Sequence, residues 1–213
     1  VAPLPVPNPA DANRTIETVA ANCTPNTNCA DEIQALVNSS GNTPRKITVG
    51  SVSNPGQVYK FSNNTINMTN KTDVYIEGLG SPIFEVTSAA RGLFTLNGTT
   101  SGISVRGLTF DMGGADNCKT TSALSLNGTS TDVFFQDNTI MNAGKDVPQP
   151  DNRAADPPID YCNNDFIVLP DSGKSTNLYV TGNKIKRLRR FSRMDGELTN
   201  GYFLNNEIRE TGI

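Results

Sequence analysis

Apolar and polar residues alternate along most of this chain in short runs of about three to five, the period of a half-buried strand. The runs recur in a fixed order from about residue 93 onward, and four copies can be laid over one another. The first is Leu93-Phe-Thr-Leu-Asn-Gly98 with Ile103-Ser-Val-Arg-Gly-Leu-Thr-Phe110. The second is Ala123-Leu-Ser-Leu-Asn-Gly128 with Val133-Phe-Phe-Gln-Asp-Asn-Thr-Ile140. The third is Phe166-Ile-Val-Leu-Pro-Asp171 with Leu178-Tyr-Val-Thr-Gly-Asn-Lys-Ile185. The fourth is Phe191-Ser-Arg-Met-Asp-Gly196 with Tyr202-Phe-Leu-Asn-Asn-Glu-Ile208. A fainter earlier copy runs through Ile66-Asn-Met68, Val74-Tyr-Ile-Glu-Gly78 and Ile83-Phe84.

A repeat of this size means that one small unit is stacked many times. Each copy holds three short strands and no helical segment, which predicts an all-β fold, a right-handed parallel β-helix. The bends between second and third strands are placed at Gly107, Asn138, Asn183 and Asn206, residue types that tolerate a left-handed backbone. Stacked Asn side chains there are expected to bond the backbone of the next coil. Phe84, Phe110, Ile140, Ile185 and Ile208 align, separated by 26, 30, 45 and 23 residues. Nearly all the variation falls at one corner, and its two long loops span 112–121 and 142–164. Variable loops over a constant core are where a solenoid carries function.

Ahead of the coils, Asp31-Glu-Ile-Gln-Ala-Leu-Val37 is the best helix candidate: Cys29 or Ala30 precedes an acidic first turn, Ile33, Leu36 and Val37 share a face, and Gly41 ends it. A short amphipathic helix would cover the open end of the solenoid, where unpaired strand edges invite aggregation. The organisation is then a Pro-rich arm over residues 1–22, a disulfide loop and capping helix over 23–45, and coils over 46–213. The chain stops in mid-pattern at Glu210-Thr-Gly-Ile213, so either the natural protein continues or the uncapped last coil associates with another molecule.

Composition narrows the setting. No apolar run approaches a membrane span. The absence of an initiator Met and a signal peptide reads as a mature, secreted or cell-surface chain. Four cysteines allow three pairings; Cys23–Cys29 closes a local loop, and Cys118–Cys162 joins long loops of adjacent coils. Sequons begin at Asn13, Asn22, Asn38, Asn63, Asn67, Asn70, Asn97 and Asn127, candidate glycosylation sites in a secreted chain. A pI of about 5.0 and a basic patch without interleaved aromatics speak against nucleic acid. There is no nucleophile elbow, phosphate loop or dinucleotide fingerprint.

The cap, Tyr59-Lys-Phe61, Val74-Tyr-Ile-Glu-Gly78 and Ile103-Ser-Val-Arg-Gly-Leu-Thr-Phe-Asp111 resemble the pectate-lyase-like superfamily, across roughly residues 30–213. The resemblance implies the β-helix and an extracellular role facing carbohydrate. Asn164-Asp165-Phe-Ile-Val-Leu169 sits where polygalacturonase-type members carry an Asp-Asp pair; only Asp165 fits, and no His stands one coil later. Inverting hydrolysis needs carboxylates at a defined separation, so that constellation is incomplete.

Two charge clusters remain. Lys184, Lys186, Arg187, Arg189, Arg190 and Arg193 form a basic patch. Such a patch suits an acidic polysaccharide. In lyase chemistry a cation neutralises the uronate and a base takes the C5 proton, and a Lys or Arg with lowered pKa serves as base. This assigns Asp165, Arg190 and Arg193 as catalytic candidates, with Lys184, Lys186, Arg189 and Tyr161 binding substrate. The bland alternative is a solvated face paired with Asp195, Glu197, Glu207 and Glu210. Asp146, Asp151, Asp156, Asp160, Asp165 and Asp171 form an oxygen-rich cluster, with Asp160 and Asp165 the calcium-ligand candidates. A solvated Pro-rich loop is the alternative there. Two functions follow: a protein that binds and cleaves or modifies an acidic polysaccharide, or a non-catalytic adhesin, tailspike-like binder or self-stacking fibre subunit.

Overall fold

The computed structural model describes residues 16–24, 27–39, 44–61, 65–86, 93–112, 122–141, 165–186 and 190–209. The strands stack into three parallel sheets, each coil adding one strand to each sheet. The seven-stranded sheet contains β1 (Glu17–Ala20), β2 (Arg45–Gly50), β5 (Val74–Leu79), β8 (Thr99–Arg106), β11 (Thr129–Gln136), β14 (Lys174–Thr181) and β17 (Glu197–Leu204). The six-stranded sheet contains β3 (Val58–Phe61), β6 (Ile83–Val86), β9 (Thr109–Asp111), β12 (Thr139–Met141), β15 (Lys184–Lys186) and β18 (Glu207–Arg209). The five-stranded sheet contains β4 (Ile66–Asn67), β7 (Phe94–Leu96), β10 (Ser122–Leu126), β13 (Asp165–Leu169) and β16 (Arg190–Met194). The fold is the expected right-handed parallel β-helix.

Register is fixed by columns of like side chains. Phe84, Phe110, Ile140, Ile185 and Ile208 are direct neighbours down the six-stranded sheet, as their sequence alignment predicts. A one-residue slip would turn each column outward, so burial of one face locks the pairing. Inside, Phe84 stacks on Phe110 at 5.3 Å, and Phe61, Phe94, Phe135 and Phe166 continue the aromatic contacts edge-on. Such pairs contribute about 0.5–1.5 kcal/mol each beyond area burial.

The corner between the seven- and six-stranded sheets is set by two adjacent residues. Positive φ falls on Gly107, Asp137, Gly182 and Asn205, so the left-handed residue is one position earlier than expected in three of the coils. Asn138, Asn183 and Asn206 instead form the expected ladder. The Asn138 N–H donates to Asn183 Oδ1 at 3.0 Å, and the Asn183 N–H donates to Asn206 Oδ1 at 3.0 Å. Their Nδ2 atoms donate to the carbonyls of Val105, Phe135 and Val180 respectively. Asn138 and Asn183 are fully buried, so these bonds satisfy backbone groups that water does not reach.

A second left-handed column, Asp73, Gly102, Asp132, Asn177 and Asn200, lies just before β5 and bends β8, β11, β14 and β17 midway. The sequence reading starts these strands after that bend and so misses it. A third corner, after the five-stranded sheet, is closed by stacked glycines: a Cβ on Gly128 would lie 2.2 Å from the Gly98 carbonyl oxygen.

The N-terminal end is capped in two pieces. Helix α1 (Cys29–Ser39) packs on β3 and β4, burying Cys29, Ala30, Ile33 and Val37. It starts two residues earlier than expected because Asn28 is its cap: Asn28 Oδ1 accepts the Ala30 N–H, and Asn28 Nδ2 bonds Asp31. Gln34 replaces a missing strand beside β4, with Oε1 accepting the Asn67 N–H at 2.6 Å and Nε2 donating to the Asn67 carbonyl at 3.1 Å. The third sheet is covered by β1, which pairs with β2. The stretch read as the end of a free arm is therefore partly a strand, because the edge of β2 offers backbone groups that need partners. The expected Cys23–Cys29 disulfide is formed and ties the two cap pieces together. Cys118 and Cys162 lie outside the described residues. At the other end, β16, β17 and β18 pair on one side only among the described residues, and Ile208, inward by register, is 42% exposed.

Candidate functional site

The connections from the six-stranded to the five-stranded sheet run through residues 62–65, 87–93, 112–121, 142–164 and 187–189. The longest and most variable segments thus fall at one corner, as the uneven repeat implies. Lys184 and Lys186 flank Ile185 on β15; the strand alternation that buries Ile185 to 2% turns both lysines into solvent. Across the corner, Arg193 is exposed on β16, in register with Val168 of β13. Arg193 lies toward the far end of β16, so the basic residues are divided between the two sheets that meet at the corner instead of sharing one face. Arg209, not foreseen as part of this patch, stands in register with Lys186 and extends it. Acids moderate the charge. Arg193 pairs with Asp195 and Arg209 with Glu207, while Lys174 pairs with Glu197 at 2.9 Å on exposed side chains. Of the acids in the bland alternative, Asp195 pairs with a residue of the expected patch, while Glu207 and Glu197 pair with Arg209 and Lys174 outside it; exposed pairs stabilise little.

Asp165 opens β13 at the same corner, in register with Ser122 and with Arg190, and is only 4% exposed. Asp171 is exposed in the turn beyond the far end of β13, so these two members of the acidic cluster point to different corners. No group of three potential metal ligands gathers among the described residues. Calcium at Asp165 needs ligands from outside them; Asp160 lies there, as do Tyr161 and Arg189. Asn13 and Asn63 also fall outside, and Asn22, Asn38, Asn67, Asn70 and Asn127 are exposed.

Two features escape a sequence reading. The first is a ring-and-charge cluster on the outer face of the seven-stranded sheet. Lys46 Nζ lies 5.3 Å and Arg106 Cζ 5.1 Å from the Tyr75 ring centroid, and both cations bond Glu77. Burial alone would raise the Glu77 pKa; the hydrogen bonds and charges of Lys46 and Arg106 outweigh it and hold the carboxyl below its ordinary value. The second is an aromatic stripe on the same sheet: Phe134, Tyr179 and Tyr202 stack at 4.6 and 4.7 Å with nearly parallel rings. Burial, with smaller contributions from Tyr202 and Asp132, raises the Tyr179 phenol. Register makes both clusters, joining residues 23 to 45 positions apart. The recurrence of aromatics after the second-strand valine or leucine was the available signal.

Compared with known proteins, the chain matches no family model, no curated protein and no solved structure. The parallel β-helix therefore rests on this chain's own strand pairing.

Proposed function

We propose that this chain is an extracellular, carbohydrate-facing β-helix protein of the pectate-lyase-like kind, and that the corner around Lys184, Lys186 and Arg193 binds an acidic polysaccharide. One observation carries the reading: exposed cations stand on the two sheets that meet at the corner where the longest segments open, Lys184 and Lys186 on β15 and Arg193 toward the far end of β16. A polyanion lying around that corner meets fixed positive charge from two sheets. The Cys23–Cys29 disulfide supports an oxidising compartment. Binding is the better-supported half. Asp165 is buried, and Arg193 is already paired with Asp195. In the lyase reading Arg190 and Arg193 neutralise the uronate and supply the base, while Asp165 positions that end of β13.

The test is titration with polygalacturonate and a sulfated polysaccharide at two salt concentrations, with and without calcium, while new chain ends and unsaturated uronates are followed. The K184A/K186A pair and R193A should each weaken binding and flatten its salt dependence. Binding that neither variant changes refutes the assignment. Turnover lost in R193A, with folding intact, assigns catalysis to the corner.

A second reading is self-stacking through the strand edges of β16, β17 and β18 that have no partner among the described residues. It predicts concentration-dependent elongation by sedimentation and electron microscopy; a monodisperse monomer at high concentration refutes it.

A further inference from the structure

At the capped end of the five-stranded sheet, α1 and the corner after β4 flank an open cleft of about 370 Å³ lined by Gln34, Asn38, Thr65, Asn67, Thr69 and Lys71. The lining consists of amides, hydroxyls and one cation. Its hydrogen bonds have a consistent direction. Asn127 Nδ2 donates to Asn97 Oδ1 at 3.2 Å, and Asn97 Nδ2 donates to Asn67 Oδ1 at 3.3 Å. Asn67 Oδ1 also accepts the N–H and the hydroxyl of Thr69. The ladder therefore uses each Asn Oδ1 and ends at the cleft on Asn67 Nδ2, a donor with no partner among the described residues. Aligned amides polarise one another, which strengthens that terminal donor.

The neighbouring groups show the same imbalance. Asn38 Oδ1 accepts from Gln34 Nε2 at 3.0 Å, leaving Asn38 Nδ2 as a donor. Gln34 is otherwise committed to the Asn67 backbone. The half-buried Lys71 has no ion pair among the described residues. Three donors, one of them cationic, have no partner among the described residues, while the amide oxygens of Gln34, Asn38 and Asn67 are all taken. The complement is an oxyanion, and the flanking hydroxyls of Thr65 and Thr69 suit a hydroxylated ring.

We propose that this cleft binds an oxyanion carried on a sugar ring, a uronate carboxylate or a sugar sulfate, with Lys71, Asn67 and Asn38 as donors. The site is separate from the basic corner: β4 and β16 are opposite edges of the five-stranded sheet, four strand steps or roughly 19 Å apart. Its failure and that of the corner are distinguishable.

Asn67 Nδ2 is also the atom an N-glycan would occupy, so the experiment uses ¹⁵N-labelled protein made without glycosylation. Galacturonate, galactose 6-sulfate, galactose and inorganic sulfate are titrated in turn, following amide shifts at residues 34–38 and 65–71. Both acidic sugars should give saturable shifts there, and galactose none. K71Q should weaken binding about tenfold or more, the scale of one charge-assisted hydrogen bond, and leave the rest of the spectrum unchanged. K184A/K186A should leave these shifts intact. No saturable shift, equal shifts with galactose, or full affinity in K71Q overturns the proposal. Inorganic sulfate binding as tightly as the sugar acids overturns the sugar assignment.

Discussion

Replacing Asn183 by Ala should be among the most damaging single changes in the coils. The side chain is fully buried. Its Oδ1 accepts the Asn138 N–H at 3.0 Å, and its Nδ2 donates to the Phe135 carbonyl at 2.8 Å and to Asn206 Oδ1 at 2.9 Å. Asn183→Ala orphans two backbone groups. Each buried group left without a partner costs about 1–3 kcal/mol, so the loss is about 4 kcal/mol, a large share of the 5–15 kcal/mol that holds a typical domain folded. Asn206→Ala removes the equivalent rung one coil later, where the residue is only half-buried. Water can replace its bonds, and the cost there should be about 1 kcal/mol. Asn183→Asp keeps the acceptor for Asn138 but sets a second oxygen against the Phe135 carbonyl, so it should resemble Ala at neutral pH. Guanidinium unfolding by circular dichroism gives the order, and hydrogen exchange at the Asn138 amide reads the broken rung even if unfolding is not two-state. Equal costs for Asn183→Ala and Asn206→Ala, with the Asn138 amide still protected, would falsify the claim that this ladder is held by buried amide bonds.

Three further outcomes follow from the same geometry. The Glu77 carboxyl is held below its ordinary pKa in the fold, so its stabilisation is present above the unfolded value near 4.3 and is lost as pH falls through the lower folded value; Glu77→Gln should flatten that acid limb of the stability profile. Gly128→Ala forces a Cβ to within 2.2 Å of the Gly98 carbonyl and should lower the denaturation midpoint by several degrees; alanine at Gly56 meets no neighbour but must hold a left-handed backbone, and should cost only that strain, about 1–2 kcal/mol. Gln34→Ala uncovers the Asn67 backbone at the edge of β4 and should increase light scattering on concentration; Gln34→Glu keeps the acceptor, loses the donor and should fall between.

The fold was legible because its determinants are local and repeated. Each coil writes alternation and a bend within about 20 residues, the later coils add a corner Asn, and the stacking of Phe84, Phe110, Ile140, Ile185 and Ile208 follows from aligning the copies. The errors are also local. Asn138 and Asn183 mark the corner, but the left-handed conformation belongs to Asp137 and Gly182, because an Asn whose side chain reaches inward to backbone is not the residue that turns. The strand at Glu17–Ala20 carries little alternation of its own; it forms because the edge of β2 supplies a ladder of unpaired groups, a cause that lies about 28 residues away.

The candidate sites were less legible for a related reason. Parity along β15 and β16 puts Lys184, Lys186 and Arg193 outside, and that much follows from sequence. Whether they share a face does not, since it depends on the corner between the two sheets and on segments of unequal length. The charge cluster at Glu77 and the cleft beside Lys71 are further removed, because each is assembled across coils. Lys46, Glu77 and Arg106 look like scattered surface charges until register brings them together, and two of the cations then lie against Tyr75. Asn67, Asn97 and Asn127 read as three sequons; stacked, they become a directional ladder with one unpaired donor. In a parallel solenoid the chemistry therefore runs along the axis, down columns of residues one coil apart, while sequence motifs run across it. A motif search along the chain finds turns and strand parity, and binding groups emerge only when each position is compared with its counterparts in the coils on either side.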